Sequence, residues 1–296
     1  MQLGMIGLGR MGSNMTERLR AGGHEVIGYD ANPDVTEVPS LEELVKRLDT
    51  SPRVVWVMIP VQFLDATVNQ LAGLPPPGDI VIDGGNTHWA EDGPRTDMLA
   101  QRGIRFVDCG VSGGIWGPEY GYALMCGGDD ADIEHVQPIF DTLKPEGDSG
   151  FVHAGGHGAG HFAKMVHNGI EYSIMQAYAE GWELLEKTPM VVDVPAVFDS
   201  WREGTVIRSW LLDLIARSLS DDPHLEKLQA YVDDSGEGRW TLDAAIDAAV
   251  PMPALAAALF ARFASREEES PAMRLVAAMR QQFGGHPVRK ADAPPS

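Results

Sequence analysis

Four side chains able to bind polar groups and move protons fall on one stripe of the chain. Lys164, His167, Asn168 and Glu171 follow one another at i, i+3, i+4 and i+7, which places them on one face of an α-helix. They stand in the run Gly158-Ala159-Gly160-His161-Phe162-Ala163-Lys164-Met165-Val166-His167-Asn168-Gly169-Ile170-Glu171-Tyr172, with Phe162, Met165 and Ile170 on the other side. Spacing alone leaves two readings open: the solvated side of an amphipathic helix, or the wall of a catalytic site. The Gly-rich approach, the apolar back and a position where the character of the chain changes favour the second, because ligand sites prefer such junctions. A lysine partly withdrawn from water can shed its proton near neutral pH and act as a general base.

A second constellation lies at the amino terminus. Gly7-Leu8-Gly9-Arg10-Met11-Gly12 is G-x-G-x-x-G, preceded by a strand-like run and followed by a helical pattern. In that context glycines make the tight turn and let backbone N–H groups approach a pyrophosphate on the helix's positive end. The next strand-like run, Glu25–Tyr29, leads into Asp30, eighteen residues beyond Gly12. An acid there accepts hydrogen bonds from the adenosine ribose hydroxyls and repels a 2′-phosphate. The expected cofactor is therefore NAD rather than NADP, bound by Gly7, Leu8, Gly9, Arg10, Met11, Gly12 and Asp30.

Short apolar runs alternate with amphipathic stretches to position these groups. Leu3–Ile6, Glu25–Tyr29, Val54–Ile59, Ile80–Ile82, Arg105–Asp108, Ala123–Cys126 and Phe151–His153 read as buried strands. Helical patterns such as 41–48 fall between several of them. Buried strands alternating with helices predict an α/β, Rossmann-like doubly wound, mostly parallel sheet. From about His161 to Phe283 only helical periodicity remains, with 253–266 and 271–283 each opening on a proline. The expected organisation is a dinucleotide-binding domain over 1–156, an all-helical carboxy-terminal domain over 157–286 for substrate and oligomerisation, and a disordered tail over 287–296. Trp201–Ser209 reads mostly as a helix face, and Met252, Met273 and Met279 as core.

Composition removes other classes. The formal net charge of −20 over 296 residues repels nucleic acid and anionic membrane surfaces. The apolar runs, such as Val54–Ile59, are too short to span a bilayer. No basic stretch precedes an apolar one at the amino terminus, so no signal peptide is expected. Cys109 and Cys126, the only cysteines, read as buried free thiols in a reducing compartment, which implies a cytoplasmic location. His157 and His161 could in principle hold a metal, but no convincing third ligand follows, so no metal site is expected.

Taken together, several segments resemble 6-phosphogluconate dehydrogenases. They are the fingerprint at 7–12 followed by Asn14, Asp83-Gly84-Gly85-Asn86, Val111-Ser112-Gly113-Gly114, and Lys164-Met165-Val166-His167-Asn168-Gly169-Ile170-Glu171-Tyr172. Gly236-Glu237-Gly238-Arg239-Trp240-Thr241 is similar to the family's G-x-G-K-W-T segment with Arg for Lys. Arg280-Gln281-Gln282-Phe283-Gly284-Gly285-His286 is similar to its R-x-x-F-G-x-H. The likeness runs from Met1 to about His286. The family's duplicated helical half is missing, which points to its short form, and Asp30-Ala31-Asn32 stands where NADP-using members carry Asn-Arg-Thr.

The resemblance implies oxidative decarboxylation of 6-phospho-D-gluconate to D-ribulose 5-phosphate and carbon dioxide. It assigns Lys164 as the base at the C3 hydroxyl and Glu171 as the acid at C1. Asn86, Ser112, Gly113, Gly114, His167 and Asn168 would position the sugar acid, with Asn86 also facing the cofactor. Tyr172, Arg239 and, from a neighbouring subunit, Arg280 and His286 would hold the phosphate. Arg208 resembles an Arg of the family's I-I-R-S segment with the same use. A homo-oligomer, dimer or tetramer, is implied. One rival is a related 3-hydroxyacid dehydrogenase of the 3-hydroxyisobutyrate type, without obligatory decarboxylation. Another is a nucleotide-sensing binding protein, which would need neither Lys164 nor Glu171.

Overall fold

The computed structural model describes residues 1–74, 78–285 and 287–289, with the backbone alone at Phe283. Among these residues the seven expected strands all form: β1 (Gln2–Ile6), β2 (Glu25–Tyr29), β3 (Val54–Val57), β4 (Ile80–Asp83), β5 (Arg105–Ser112), β6 (Ala123–Gly127) and β7 (Phe151–Gly155). They make one sheet in the order β2-β1-β3-β4-β5-β6-β7. Every neighbouring pair is parallel except β5 with β6, where Asp108 faces Gly127 and Ser112 faces Ala123. The five parallel strands β1–β5 thus end along one edge. That edge receives the turns at 7–12, 30–32, 84–87 and 113–114.

Period-2 alternation sends successive side chains to opposite faces of the sheet. Leu3, Met5, Val54, Trp56, Ile80 and Ile82 enter one core, covered by Met15 and Leu19 of α1 (Arg10–Ala21) and Val136 and Phe140 of α6 (Asp130–Leu143). Ile6, Val55, Val57 and Val81 enter the other. That second core is covered by Leu44 of α2 (Leu41–Arg47), Leu64 and Val68 of α3 (Val61–Leu71), and Leu99 of α4 (Asp92–Ala100). Both faces are buried, which is why the strands read as continuous apolar runs. A short helix, α5 (Gly117–Tyr120), bridges β5 and β6.

Contacts divide the chain into two compact units, Met1–Asn168 and Gly169–Ser296. The division falls inside α7, a helix of 29 residues from Ala159 to Lys187. The expected boundary at 156/157 lies just before that helix begins. The second unit is helical throughout its described elements: the rest of α7, then α8 (Val194–Trp201), α9 (Trp210–Asp221), α10 (Glu237–Asp247), α11 (Pro253–Ala264) and α12 (Pro271–Gly284). Two small cores form along α7. Tyr172 packs with Leu255, Ala258 and Leu259 of α11. Further on, Tyr178 and Trp182 pack against Val194, Phe198, Leu212 and Leu219 of α8 and α9.

Two expectations need correction here. Trp201–Ser209 is not a helix face but the turn joining α8 to α9: Gly204 adopts φ +77°, and the Ser209 hydroxyl caps α9 by accepting from Leu212 N–H. Met273 and Met279 are not core; they are 61% and 49% exposed, because α12 lies almost wholly on the surface of the chain. In the expected tail, residues 287–289 carry no regular structure; Lys290 to Ser296, like His286, lie outside the described residues.

Candidate active site

The turn from β1 into α1 is built for an anion. Gly7 takes φ +93°, and a methyl there would fall 2.4 Å from the Met58 carbonyl oxygen. Gly12 is equally tight, its missing methyl 1.9 Å from the Gly7 oxygen. Gly9 differs: a methyl on it would meet no protein atom within 4 Å. It opens α1 as the N-cap, with no side-chain cap and no acid in the first turn. The first N–H groups of a helix have no partner within it, and a dinucleotide pyrophosphate fits both that positive end and the open space at Gly9.

Asp30 closes the other side of the cradle. Its carboxylate accepts from Leu8 N–H at 2.7 Å and from Asn32 N–H at 2.8 Å, which fixes it at the end of β2. No cation stands at Ala31 or Asn32. A second acid, Glu37, accepts from Gly28 N–H at 2.9 Å and pairs with Arg20 at 2.7 Å. Asp30 and Glu37 both line a cavity of about 490 Å³.

The candidate base is carried by α7 climbing alongside β5. Asp108, fully buried in β5, accepts from Gly158 N–H at 2.7 Å and His161 N–H at 3.0 Å, so a strand carboxylate caps the first turn of α7. One turn on, Lys164 rests against Gly110, where a methyl would fall 2.2 Å from the lysine Cβ. The next turn brings His167 Nε2 to 3.5 Å from Ser112 Oγ. Three helical residues rise about 4.5 Å and two strand residues about 6.6 Å, so helix and strand advance together toward the sheet's carboxyl edge. Close packing of α7 also needs Gly160, whose methyl would meet the Met125 carbonyl oxygen at 2.4 Å.

The expected stripe forms, and its four members differ in burial: Lys164 and Asn168 are buried, Glu171 is half-buried and His167 is exposed. Lys164 and Asn168 are only 9% and 8% exposed, whereas Phe162 and Ile170 on the apolar side are 39% and 52% exposed. Lys164 Nζ donates to Asn168 Oδ1 at 2.5 Å, and His167 Nδ1 lies 3.0 Å from the same oxygen. A buried ammonium or amine hydrogen-bonded to an amide, with a histidine and a serine near by, is an arrangement that can move protons. Glu171 stands two turns further along α7, half-buried. Ser112 ends β5, Gly113 and Gly114 follow it, and Asn86 lies exposed in the turn after β4, the neighbouring parallel strand.

Behind Lys164 lies a charged network the sequence did not reveal. His161 Nδ1 lies 2.7 Å from Asp92 Oδ2, both fully buried. Asp83 accepts from Gly85 N–H at 2.9 Å and from the Thr87 hydroxyl at 2.8 Å, which orders the turn carrying Asn86. Asp83, Asp92 and His161 bring potential metal ligands within 4.8 Å of one another. Both Asp83 oxygens accept hydrogen bonds and Asp92 Oδ2 is paired with His161 Nδ1, while Asp92 Oδ1 and His161 Nε2 are buried without a hydrogen-bond partner among the described residues; we read the group as a salt-bridge network. His157, weighed with His161 as a ligand pair, instead places Nε2 3.0 Å from the Phe106 carbonyl oxygen. Burial raises the Asp92 carboxyl to about 6, against the hydrogen bond from His161. Burial alone would lower the His161 imidazole; its hydrogen bond to Asp92 and the fields of Asp83, Asp92 and Asp108 raise it to about 9. Histidine and acid are therefore both charged between those values.

In the second unit, two of the expected phosphate ligands come together. Arg239 forks onto Asp234 at 2.8 and 2.9 Å and lies 4.4 Å over the Phe263 ring. The Tyr172 hydroxyl is 3.4 Å from Ser235 Oγ. Sequence reading missed Arg262, whose guanidinium stacks 3.6 Å over the Tyr172 ring, and Arg266, which reaches Asp234 at 3.1 Å. Their i, i+4 spacing at one end of an Ala/Leu-rich helix was the available signal. Arg208 lies apart, on the α8–α9 turn, paired with Glu203 at 3.2 Å. Arg280 is exposed on α12, and His286 lies outside the described residues.

A dinucleotide cradle and a buried lysine at one sheet edge, with a helical domain following, define an oxidoreductase of the nicotinamide-dependent dehydrogenase class. Comparison with known proteins narrows the class. The family model for the NAD binding domain of 6-phosphogluconate dehydrogenase matches residues 2–146, and that for the 6-phosphogluconate dehydrogenase C-terminal domain matches residues 160–272. The chain belongs to the 6-phosphogluconate dehydrogenase family. It is 38% identical over 303 residues to the NAD(+)-dependent, decarboxylating 6-phosphogluconate dehydrogenase of Haloferax volcanii, covering 99% of this chain and all of that one. The solved Plasmodium falciparum 6-phosphogluconate dehydrogenase, described with its cofactor NADP+ and its substrate 6-phosphogluconate, superposes with a TM-score of 0.82 at 26% identity, over 99% of this chain and 67% of that one. A Mycobacterium tuberculosis 3-hydroxyisobutyrate dehydrogenase shares the fold, with a TM-score of 0.70 at 22% identity over 94% of this chain and 99% of that one.

Proposed function

We propose that this chain is a decarboxylating dehydrogenase that oxidises 6-phospho-D-gluconate with NAD, releasing D-ribulose 5-phosphate and carbon dioxide. Lys164 carries the reading: a lysine 9% exposed, held at 2.5 Å by Asn168, at the edge of the sheet that carries the dinucleotide cradle. Membership of the family supplies the substrate class. Asp30, with no cation beside it, supplies the preference for NAD.

Residues 7–12 and Asp30 would hold NAD, whose nicotinamide would supply the acceptor for the hydride of C3. Lys164, neutral, takes the proton of the C3 hydroxyl as that hydride leaves. The oxidised acid has its carboxylate β to a ketone, so carbon dioxide departs with its electron pair flowing into the carbonyl. Lys164, now protonated, stabilises the developing enolate oxygen. Asn168 keeps the lysine aimed in both states, since its amide oxygen accepts from ammonium or amine. Glu171, protonated, delivers a proton to C1 of the enediol. Ser112, Gly113, Gly114, His167 and Asn86 position the sugar acid. Tyr172 and Arg239 are assigned to the phosphate, for which a guanidinium fork is suited; Arg280 and His286 of a second copy, and Arg208, complete that assignment.

The proposal includes a homo-oligomer, dimer or tetramer. The apolar residues Met273, Leu275 and Met279 of α12 are 61%, 62% and 49% exposed, more than one chain covers by itself. Among the described residues no helix is long and apolar enough to cross a membrane; the cytoplasmic location expected from cysteine usage belongs to the same proposal. The test is a steady-state assay of the purified protein with 6-phosphogluconate, following reduced cofactor and released carbon dioxide with NAD and with NADP. Equimolar reduced cofactor and carbon dioxide, with NAD strongly preferred, is the expected result. Oxidation without carbon dioxide would overturn the reading in favour of a 3-hydroxyacid dehydrogenase.

A further inference from the structure

The buried network behind Lys164 has a job beyond holding the fold together. His161 sits in the first turn of α7, three residues before the lysine, and is 2% exposed. Its backbone N–H is tied to Asp108 of β5 at 3.0 Å, and its Nδ1 lies 2.7 Å from Asp92 of α4. Asp83 of β4, with its carboxylate within 4.8 Å of both, holds the 85–87 turn through Gly85 N–H and the Thr87 hydroxyl. Arg95 of α4 lies on the far side of Asp92 at 3.6 Å. One imidazole therefore touches the helix that aims the base and, through Asp83, the turn that presents Asn86.

We propose that His161, clamped by Asp92, is a positioning residue for the reaction: as an imidazolium it locks the first turn of α7 to α4 and β4, and so holds Lys164 against β5 while Asp83 holds Asn86. The inference rests on the assignment of Lys164 as the base. The charged groups facing His161 are three carboxylates, Asp92 from α4, Asp83 from β4 and Asp108 from β5; Arg95 stands beyond Asp92 at 3.6 Å and is itself bound to Glu91 at 2.6 Å and Asp65 at 2.9 Å. The excess negative charge of the three carboxylates is what the imidazolium balances. A neutral imidazole could keep its Nδ1–H on Asp92 but would remove the charge that balances Asp92, Asp83 and Asp108, and unbalanced buried charge of this kind is costly. The clamp should therefore hold through neutral pH and release as pH rises through about 9, where His161 loses its proton.

The experiment compares wild type with His161→Gln, which can still donate one hydrogen bond to Asp92 but carries no charge, and with Asp92→Asn. Melting temperature, NAD affinity by calorimetry, and kcat and KM for 6-phosphogluconate from pH 6 to 10 are measured on each. Both variants are expected to stay folded and to bind NAD within twofold of wild type. kcat should fall about tenfold or more, with KM for the sugar acid changed less. The alkaline fall in wild-type kcat, centred near 9, should be absent from the residual activity of His161→Gln. Histidine ¹⁵N chemical shifts of the wild-type protein should report both ring nitrogens of His161 protonated at neutral pH. A neutral ring overturns the proposal whatever the activity, and covers the case in which a variant does not fold. So does a kcat for His161→Gln within threefold of wild type, or an unchanged alkaline limb. If wild type does not turn over 6-phosphogluconate at all, the assignment of function fails, and the ¹⁵N shifts still decide the state of the clamp.

Discussion

Gly9→Ala separates what the protein needs from what its ligand needs. In the protein alone a methyl at Gly9 meets nothing within 4 Å, and the backbone there, φ −63° and ψ −175°, is one that alanine adopts freely. The N-cap preference for glycine works against the entropy alanine removes from the unfolded chain, so the net change in stability is expected within about 1 kcal/mol. Gly12→Ala is the control: its methyl would fall 1.9 Å from the Gly7 carbonyl oxygen, backbone against backbone. Overpacking of that kind costs about 1–3 kcal/mol, or several degrees in Tm. The cofactor reverses the order for Gly9. A pyrophosphate must come within about 2.9 Å of the backbone N–H groups opening α1, and the new methyl stands in that path. Losing one charge-assisted hydrogen bond costs about 1.5–3 kcal/mol, which weakens binding about 10- to 150-fold. Calorimetric titration with NAD and thermal melts of the three proteins read both effects. Gly9→Ala binding NAD as tightly as wild type, or melting as low as Gly12→Ala, would refute the reasoning.

Lys164→Met is expected to lower kcat by about 10²- to 10⁴-fold, the usual cost of losing a general base, while NAD affinity stays nearly unchanged; more than a tenth of wild-type kcat remaining would defeat the assignment. Glu171→Gln should slow proton delivery to C1, so that carbon dioxide release outpaces formation of ribulose 5-phosphate in single-turnover mixing; normal turnover would mean that another acid does the work. Asp30→Asn with Ala31→Arg should move cofactor preference toward NADP. The like-charge opposition it removes costs several kcal/mol, so wild type is expected to favour NAD by at least ~100-fold in kcat/KM, and wild type using both cofactors equally well would overturn the role of Asp30.

Legibility in the sequence followed how local each feature is. All seven strands were readable because both faces of the sheet are buried, so β3 and β4 read as uninterrupted apolar runs. The cradle was readable because its G-x-G-x-x-G spacing is demanded by the turn itself, Gly12 packing on Gly7 five residues away. The reversal of β6 against β5 was not, since alternation gives a strand its faces and not its direction. Asp108 capping α7 across fifty residues, and His161 meeting Asp92 across sixty-nine, depend on the register of distant segments. Taken alone, His161 was weighed only as a metal ligand. Met273 and Met279 show the converse limit: composition marks a residue as apolar without saying whether the same chain covers it.

The site's location follows from the packing of one helix on one strand. A lysine on a free amphipathic helix would turn to water, because its charge is costly to bury. Here Gly110 and Gly160 remove the side chains that would keep α7 off β5, and Asp108 fixes where the helix starts. With the start fixed and the gap closed, Lys164 must lie against the strand, and Asn168, one turn later, supplies the acceptor that makes its burial tolerable. The same strand ends at Ser112 and Gly113, on the edge that carries the dinucleotide turn. Lys164, its amide partner and the dinucleotide turn thus come to one edge because two glycines and one buried aspartate set how a helix may lie, and the Gly-rich run before Lys164 belongs to the proposed site in that physical sense.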